Sequence, residues 1–291
     1  MKTRAFAKIN LCLDVCGRRQ DGYHEVRMIM QSLALFDEIS IKRREDEQIL
    51  MTMEPEIPSI PVDERNLMVR AARLFQNHCG WKQGVDLHLV KRIPSEAGLG
   101  GGSADAAAVL LGMNDLFDAG VSKEELLGLG LKLGADVPFC ILRGTALAEG
   151  IGEILTPIRK ASSYEALPVL LVKPKKGVST GAMYRALDDR PGLEHPDVSS
   201  CRRALEEGDD SALSGFIANS FMTPVEESIP LIRRIREDML KGGAFASCMS
   251  GSGPTVFGLF RDPEVMREAA ERIRAMEYAD ELSDVIPTSF G

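Results

Sequence analysis

Residues 94 to 105 read Pro-Ser-Glu-Ala-Gly-Leu-Gly-Gly-Gly-Ser-Ala-Asp. The stretch follows an alternating run at residues 85–89, which predicts a strand, and precedes an alanine-rich run with helical spacing. Four glycines let the backbone approach a ligand without Cβ obstruction, and the free N–H groups at a helix start attract negative charge. A strand, a glycine-rich loop and a helix in this order predict a phosphate cradle in an α/β or α+β protein.

Two familiar nucleotide loops do not fit this stretch. A Walker A loop needs Gly-Lys-Ser/Thr at its end, and that ending is missing. The dinucleotide fingerprint needs a third glycine where Ser103 stands, which argues against an NAD-dependent dehydrogenase. Glycine also serves ordinary tight turns, so a purely structural turn stays open at this point.

Length and composition narrow the class of protein. The chain has 291 residues, of which 44% are hydrophobic and 27% charged, as in globular proteins with one large α/β unit or two lobes. Thirty-five basic and 43 acidic residues give a net charge of −8, which is the wrong sign for nonspecific nucleic-acid binding. We therefore expect small-molecule ligands, with any anion held by a local site.

The cysteines and the termini of the chain indicate a compartment. Six cysteines are scattered without a CxxC pair, so we expect reduced core residues and no zinc site. The N-terminus lacks the apolar run of a signal peptide. The longest uncharged stretch, residues 242–260, contains five glycines and predicts two strands around a turn. We expect a cytoplasmic protein without a membrane partner, as a monomer or a homodimer.

Residues 7–15 alternate between apolar and more polar side chains. The pattern predicts a half-buried strand that displays Lys8 beside Asn10 on its polar face, with Cys12 and Asp14. Taken alone, a lysine on such a strand is usually a solvated surface charge.

Helix boundaries are marked at two places in the first half of the chain. Asn66 is a good N-cap for an amphipathic helix that Gly80 closes. Ser122 and Glu125 have capping-box spacing at the start of a second helix, with Asp136 shortly after its end. Asp136 could simply cap the next short helix.

The second half predicts an α+β sandwich. A strand begins after Pro168, and helices start near Ser179, Ser200, Pro224 and Pro263. A second glycine-rich turn at residues 250–254 separates two short apolar runs, as a hairpin connection does. A polar, aperiodic stretch near residue 160 predicts the domain boundary, with domains at 1–160 and 161–291.

Taken together, these segments resemble the GHMP kinase superfamily, from about residue 5 to residue 260. The resemblance lies in their order and spacing, at residues 7–11, 21–24, 94–103, 134–138, 148–153 and 250–254. It implies a two-lobed α+β fold, with an N-terminal ribosomal-protein-S5-like domain and a C-terminal ferredoxin-like α/β sandwich. Ligands would bind in the cleft between them.

The resemblance also implies a reaction, the transfer of the γ-phosphoryl group of ATP to a substrate hydroxyl. Asp136 matches the general base and Lys8 the cation that orients the hydroxyl and offsets growing charge. Mg²⁺ is expected with the nucleotide, with Ser103 and Glu149 as open alternatives for a protein ligand. The residues that match the ATP loop are Pro94, Ser95, Glu96, Ala97, Gly98, Leu99, Gly100, Gly101, Gly102, Ser103 and Ala104. Within that loop, the Glu96 carboxylate would repel phosphate and is expected to face solvent.

The segment at residues 21–24 points within the superfamily to a cytidylated methylerythritol as acceptor, phosphorylated at its 2-hydroxyl on the nonmevalonate route to isoprenoid precursors. By the resemblance, Tyr23 stacks on the cytosine, His24 hydrogen-bonds its edge, Tyr184 supplies the opposite face and Asn10 lines the pocket. A helical aromatic such as Tyr184 could equally be core packing. A mevalonate or homoserine acceptor, or a noncatalytic nucleotide sensor on the same fold, remain the alternatives.

Overall fold

A computed structural model describes residues 1–190 and 195–291. The chain is α+β and divides into two compact units that interleave along the sequence. Unit 1 comprises Met1–Lys8, Leu35–Ser95 and Gly100–Arg143, and unit 2 comprises Ile9–Ala34, Glu96–Leu99 and Gly144–Gly291. The boundary expected near residue 160 stays a prediction.

Two long strands open the chain and contribute residues to both units. These are β1 (Lys2–Arg18) and β2 (His24–Arg43). The other elements of unit 1 follow as β3 (Ile49–Glu54), α1 (Leu67–Cys79), β4 (Val85–Val90), α2 (Gly101–Phe117), α3 (Lys123–Leu131) and α4 (Val137–Leu142).

The sheet of unit 1 is built around β4. This strand pairs antiparallel with the second half of β2, with Leu89 opposite Ile39, and parallel with β3, with Leu87 opposite Met51. Helix α2 is buried on nearly all sides from Ala104 to Leu110, because its alanines let neighbouring helices approach closely. The helix that follows the glycine-rich loop is therefore held firmly by the core.

Unit 2 contains a hairpin and a four-stranded antiparallel sheet. The first half of β2 pairs with β5 (Thr145–Glu149), and β5 pairs with β6 (Ile154–Pro157). The sheet has the order β10-β7-β9-β8, formed by β7 (Pro168–Pro174), β8 (Ala246–Met249), β9 (Val256–Leu259) and β10 (Leu282–Ser289).

Six helices accompany that sheet in the described part of unit 2. They are α5 (Thr180–Asp188), α6 (Val198–Glu207), α7 (Asp210–Phe216), α8 (Met222–Ser228), α9 (Leu231–Lys241) and α10 (Pro263–Arg274). The apolar stripes of α9 and α10 are buried, including Ile235 and Ile273. These stripes explain why an alternation of strands and amphipathic helices folds into layers here.

The local signals of the sequence are confirmed. Asn66 Oδ1 accepts from the Met68 N–H at 2.9 Å, and Gly80 ends α1 with φ 66°. Ser122 and Glu125 form the capping box of α3. The turn at residues 250–254 joins antiparallel strands, as predicted. Over residues 1–190 and 195–291, no helix combines the length and apolar character that a membrane span requires.

The expectation that β1 is half-buried was wrong. Its polar face is covered as well: Asn10, Cys12 and Asp14 are each less than one-tenth exposed. Within unit 2, the segment at residues 218–220 lies along the strand, where Ala218 O accepts from the Leu13 N–H at 2.9 Å. Because this segment lies more than 200 residues away in the sequence, the alternation within residues 7–15 does not indicate that it covers the polar face of the strand.

The cysteines are all free, as expected, but they do not all lie in the core. Cys16, near the end of β1, is exposed, and Cys79 at the end of α1 is partly exposed. Both residues lie near the end of a strand or helix, where the chain leaves the core. The prediction that every cysteine is a core residue was therefore wrong for Cys16 and Cys79.

Candidate active site

Lys8 and Asp136 form an ion pair in unit 1. The Nζ of Lys8 lies 3.4 Å from Oδ2 of Asp136, and the side chains are 5% and 31% exposed. Lys8 is therefore not a solvated surface lysine. Asp136 stands at the N-cap position of α4, but its side chain caps no backbone N–H. A partly exposed carboxylate paired with a buried ammonium is an arrangement that can take a proton from a bound hydroxyl beside a fixed positive charge.

The segment from Gly134 to Pro138 explains how Asp136 reaches this position. The Val137 N–H donates to Gly134 O at 3.1 Å, which makes a tight turn after α3. Val137 and Pro138 are buried at the start of α4, and proline suits this first helical turn. The turn thus fixes the backbone on both sides of Asp136 while leaving the carboxylate partly open.

The first half of the glycine-rich loop contacts the second glycine-rich turn within unit 2. Gly98 has φ 73°, and a Cβ there would lie 2.1 Å from Ser250 O, so no other residue fits. The Ser250 hydroxyl donates to Gly98 O at 2.9 Å. The two turns, whose bonded residues are 152 positions apart in the sequence, therefore support one another.

The second half of the loop lies against Lys8 within unit 1. Gly100 has φ 68° and precedes α2, and a Cβ on it would lie 2.9 Å from Lys8 Cγ. Gly100 provides no side-chain cap, and the N–H groups of Gly101, Gly102 and Ser103 find no acceptor inside the helix. Helix N–H groups without an intrahelical acceptor, beside the Lys8 and Asp136 pair, can bind an anion. The phosphate cradle at this position stays a prediction.

The remaining residues of the loop have different surroundings. Glu96 is exposed, with φ 50°, in agreement with a carboxylate that faces solvent. Ala97 and Leu99 are buried and anchor the loop. The assignment of residues 94–104 to ATP binding stays a prediction.

Asn10 lies in unit 2 and is 1% exposed. Its backbone N–H donates to Ser250 Oγ at 3.2 Å, and its Nδ2 lies 3.0 Å from Met28 Sδ. Ser250 thus joins Asn10 to Gly98 through one hydroxyl.

His24 and Tyr184 come together in unit 2. Their rings stack with centroids 4.4 Å apart, and Tyr184 packs edge-on against Phe221 at 4.9 Å. The Nε2 of His24 lies 2.7 Å from Oδ1 of Asp188. Tyr23, by contrast, is 61% exposed. Tyr184 therefore has both a packing contact and a contact to a predicted site residue, and the roles of all three aromatic side chains toward cytosine stay predictions.

Sequence reasoning missed two residues of these networks. Ser250 was only part of a glycine-rich turn, and Asp188 was not singled out at all. The Ser-Gly-Ser-Gly-Pro pattern could have suggested Ser250, because hydroxyls in glycine-rich turns often bond to backbone. Nothing in the local sequence of α5 connects Asp188 with His24, which lies 164 residues away.

The described residues contain no group of three His, Cys, Asp or Glu side chains that could hold a metal ion. Mg²⁺ in nucleotide sites is commonly bound through substrate phosphates, water and one or two carboxylates. Over residues 1–190 and 195–291 there is thus no cage for the ion made only of protein side chains.

Family models match both halves of the chain. The model described as GHMP kinases N terminal domain matches residues 66–144, and that described as GHMP kinases C terminal matches residues 191–279. The first match contains the glycine-rich loop and Asp136. The predicted α+β fold of the GHMP kinase type is confirmed.

Two relatives that match over nearly their full length indicate one family within the GHMP kinases. The chain is 42% identical over 274 residues to 4-diphosphocytidyl-2-C-methyl-D-erythritol kinase of Caldicellulosiruptor bescii, covering 94% of each chain. It is 45% identical over 269 residues to the protein of the same name in Lachnoclostridium phytofermentans, covering 92% of this chain and 89% of the relative.

A solved structure agrees with these relatives. The crystal structure of a 4-(cytidine 5'-diphospho)-2C-methyl-D-erythritol kinase superposes with a TM-score of 0.83 at 35% identity, over the whole of both chains. On these matches over nearly the whole chain, the chain belongs to the 4-diphosphocytidyl-2-C-methyl-D-erythritol kinase family of the GHMP kinases.

Proposed function

We propose that this chain transfers the γ-phosphoryl group of ATP to the 2-hydroxyl of 4-diphosphocytidyl-2-C-methyl-D-erythritol, giving the 2-phosphate and ADP on the nonmevalonate route to isoprenoid precursors. Near full-length identity to kinases of that name supports the acceptor. The observation that carries the chemistry is the ion pair of Lys8 and Asp136 beside Gly100.

Asp136 is the general base of the proposed reaction. Its carboxylate takes the proton of the acceptor hydroxyl as the hydroxyl oxygen bonds to the γ-phosphorus. The bond from that phosphorus to the bridging oxygen breaks, and ADP leaves with the electron pair. Lys8 holds its ammonium against Asp136 and offsets the negative charge that grows between acceptor and phosphate.

The loop holds the phosphates of ATP. Gly98 and Gly100 let the loop backbone pack against Ser250 and Lys8, where a Cβ would clash, and the N–H groups at the start of α2 donate to phosphate oxygens. When bound, Mg²⁺ supplies neutralisation of the phosphate charge. The side chain of Glu96 stays outside the cradle.

The cytosine of the acceptor binds near His24. In the tautomer whose Nε2 donates to Asp188, Nδ1 of His24 is an acceptor, which suits the exocyclic amino group of cytosine. Tyr184 stacks on the imidazole of His24 and fixes the orientation of that ring. Tyr23 is exposed and is available to cover the cytosine. Asn10 lines the same pocket from β1.

The acceptor is tested by ADP release with three compounds at equal concentration: the cytidylated methylerythritol, mevalonate and homoserine. We expect turnover with the first and only background with the other two. Faster turnover of mevalonate or homoserine would contradict the proposed acceptor. Tight ATP binding without turnover of any compound would favour the noncatalytic nucleotide sensor.

A further inference from the structure

Three charged side chains are buried together in unit 1, close to the phosphate loop. They are Asp37 on β2, Lys91 just after β4 and Asp105 on α2, and their side chains are 0%, 5% and 5% exposed. Lys91 Nζ bonds to Oδ2 of Asp37 and lies 3.1 Å from Oδ2 of Asp105. One ammonium therefore links the strand before the loop to the helix after it.

Asp37 also holds the backbone that leads into the loop. Its Oδ1 accepts from the N–H of Arg92 and from the N–H of Ile93, the latter at 2.8 Å. These two residues immediately precede Pro94. The carboxylate thus fixes the direction in which the chain enters the loop.

Lys91 and Ile93 lie against the first residue of α2. A Cβ on Gly101 would be 3.0 Å from Lys91 Nζ and 3.1 Å from Ile93 Cγ2. Asp105 stands one helical turn after Gly101, and its contact to Lys91 holds the end of that turn. The Lys91 ammonium therefore packs against the first residue of α2 and bonds to a residue one turn later.

Stability alone does not account for such a cluster. Buried ion pairs often contribute no more than apolar residues of the same volume, because removing charges from water is costly. Asp105 Oδ1, moreover, is buried without a hydrogen-bond partner in the described structure. Proteins commonly retain an energetically unfavourable arrangement of this kind where a functional site must be held in one geometry.

We propose that Asp37, Lys91 and Asp105 are positioning residues for ATP, which fix the loop entrance and the first turn of α2 so that the backbone N–H groups are preset for the phosphates. The inference rests on the proposed function, since it assigns the cluster to phosphates of that nucleotide. The three side chains bond to one another and to backbone, and in the proposed reaction none of them contacts the reacting atoms. Their effect passes through the backbone of residues 92, 93 and 101.

The test compares ATP affinity with acceptor affinity in Lys91→Met, which keeps the length of the side chain and removes its charge. Equilibrium binding of ATP and steady-state kinetics are measured on the full chain. We expect the Kd and KM for ATP to rise about tenfold, as the loss of a charged hydrogen bond implies, with the KM for the acceptor unchanged.

A matched control separates positioning from loss of stability. Gln76 is 3% exposed in α1 of unit 1 and bonds to Glu47 O and Gln83 O, without contact to the cluster. Gln76→Met is expected to lower Tm while leaving the Kd for ATP at the wild-type value. Should Lys91→Met not fold, Asp105→Asn retains the shape of the cluster and is expected to raise the Kd about threefold.

The results distinguish the positioning role of the cluster from the proposed function of the chain. Wild-type Kd values for ATP in folded Lys91→Met or Asp105→Asn would overturn the positioning role while leaving the proposed function intact. An equal rise in the Kd with Gln76→Met would also overturn it, since loss of stability would then suffice. A wild-type chain that binds no ATP would overturn the proposed function itself.

Discussion

Lys8 contacts Asp136 with its ammonium and Gly100 with its aliphatic stem. The Nζ to Oδ2 distance is 3.4 Å, and a Cβ on Gly100 would lie 2.9 Å from Lys8 Cγ. One buried side chain therefore joins the proposed base to the proposed phosphate loop inside unit 1.

Gly100→Ala is expected to lower kcat by about tenfold or more, because the added methyl group displaces Lys8. The backbone of residue 100 also has φ 68°, a conformation that is strained for alanine. Gly128→Ala is the matched control: Gly128 lies within α3 with no atom within 4 Å of the new Cβ. That control should keep wild-type kcat and gain about 0.5–1 kcal/mol in unfolding free energy. Equal kcat values for the two variants would contradict the contact.

Tyr184→Leu is expected to raise the KM for the acceptor several-fold, with the KM for ATP unchanged, because His24 loses the ring that holds it in plane. Asp188→Asn should act in the same direction by weakening the hold on Nε2 of His24. Steady-state kinetics with each substrate varied in turn provide the measurement. A change confined to Tm, with both KM values preserved, would assign Tyr184 to core packing.

Asp105 gives the stability of the fold a dependence on pH. Burial, and secondarily Asp37, raise the pKa of Asp105 above its ordinary 3.8, although Lys91 acts in the opposite direction. When the pKa of a group is higher in the folded than in the unfolded state, its contribution to stability is fully present at pH values below the unfolded-state pKa. The contribution is lost as the pH rises through the folded-state pKa. The unfolding free energy of the wild type should therefore fall relative to that of Asp105→Asn as pH rises above 3.8.

Urea denaturation of both proteins over a series of pH values tests this difference, because the other titrating groups are common to both. A difference that stays constant from pH 4 upward, or that grows in favour of the wild type, would show that the pKa of Asp105 is not raised.

Cys16 is exposed but is expected to react slowly with alkylating agents. Partial burial, together with the nearby Asp14 carboxylate, raises the pKa of its thiol to about 11. The thiolate is the reactive form, so the alkylation rate should rise steeply up to about pH 11. Asp14→Asn should increase the rate at pH 8. Peptide-level mass spectrometry measures both rates, and a midpoint near the 8.5 of a free cysteine would contradict the account.

Local features were predictable from the sequence because they depend on neighbours in the chain. The Asn66 cap, the capping box at Ser122 and the glycine-rich loop each rest on residues within one or two turns. The resemblance added Lys8 and Asp136, and the structure brings these two together.

Contacts between distant segments were not predictable in this way. The bond from Ser250 to Gly98 joins residues 152 positions apart, and that from His24 to Asp188 joins residues 164 apart. Nothing in the local sequence marks Lys91, because its two carboxylate partners come from β2 and α2. Side-chain pairing across a core depends on tertiary packing, which a single sequence pattern does not encode.

The most direct measurement is the turnover of Asp136→Asn together with its ATP affinity. Asparagine keeps the shape of the side chain and cannot take the acceptor proton, so kcat should fall by about a hundredfold or more while the Kd for ATP and Tm stay near wild type. Lys8→Ala should also lose most of its turnover. Near-normal kcat in Asp136→Asn would show that Asp136, although paired with Lys8, is not the base of the phosphoryl transfer.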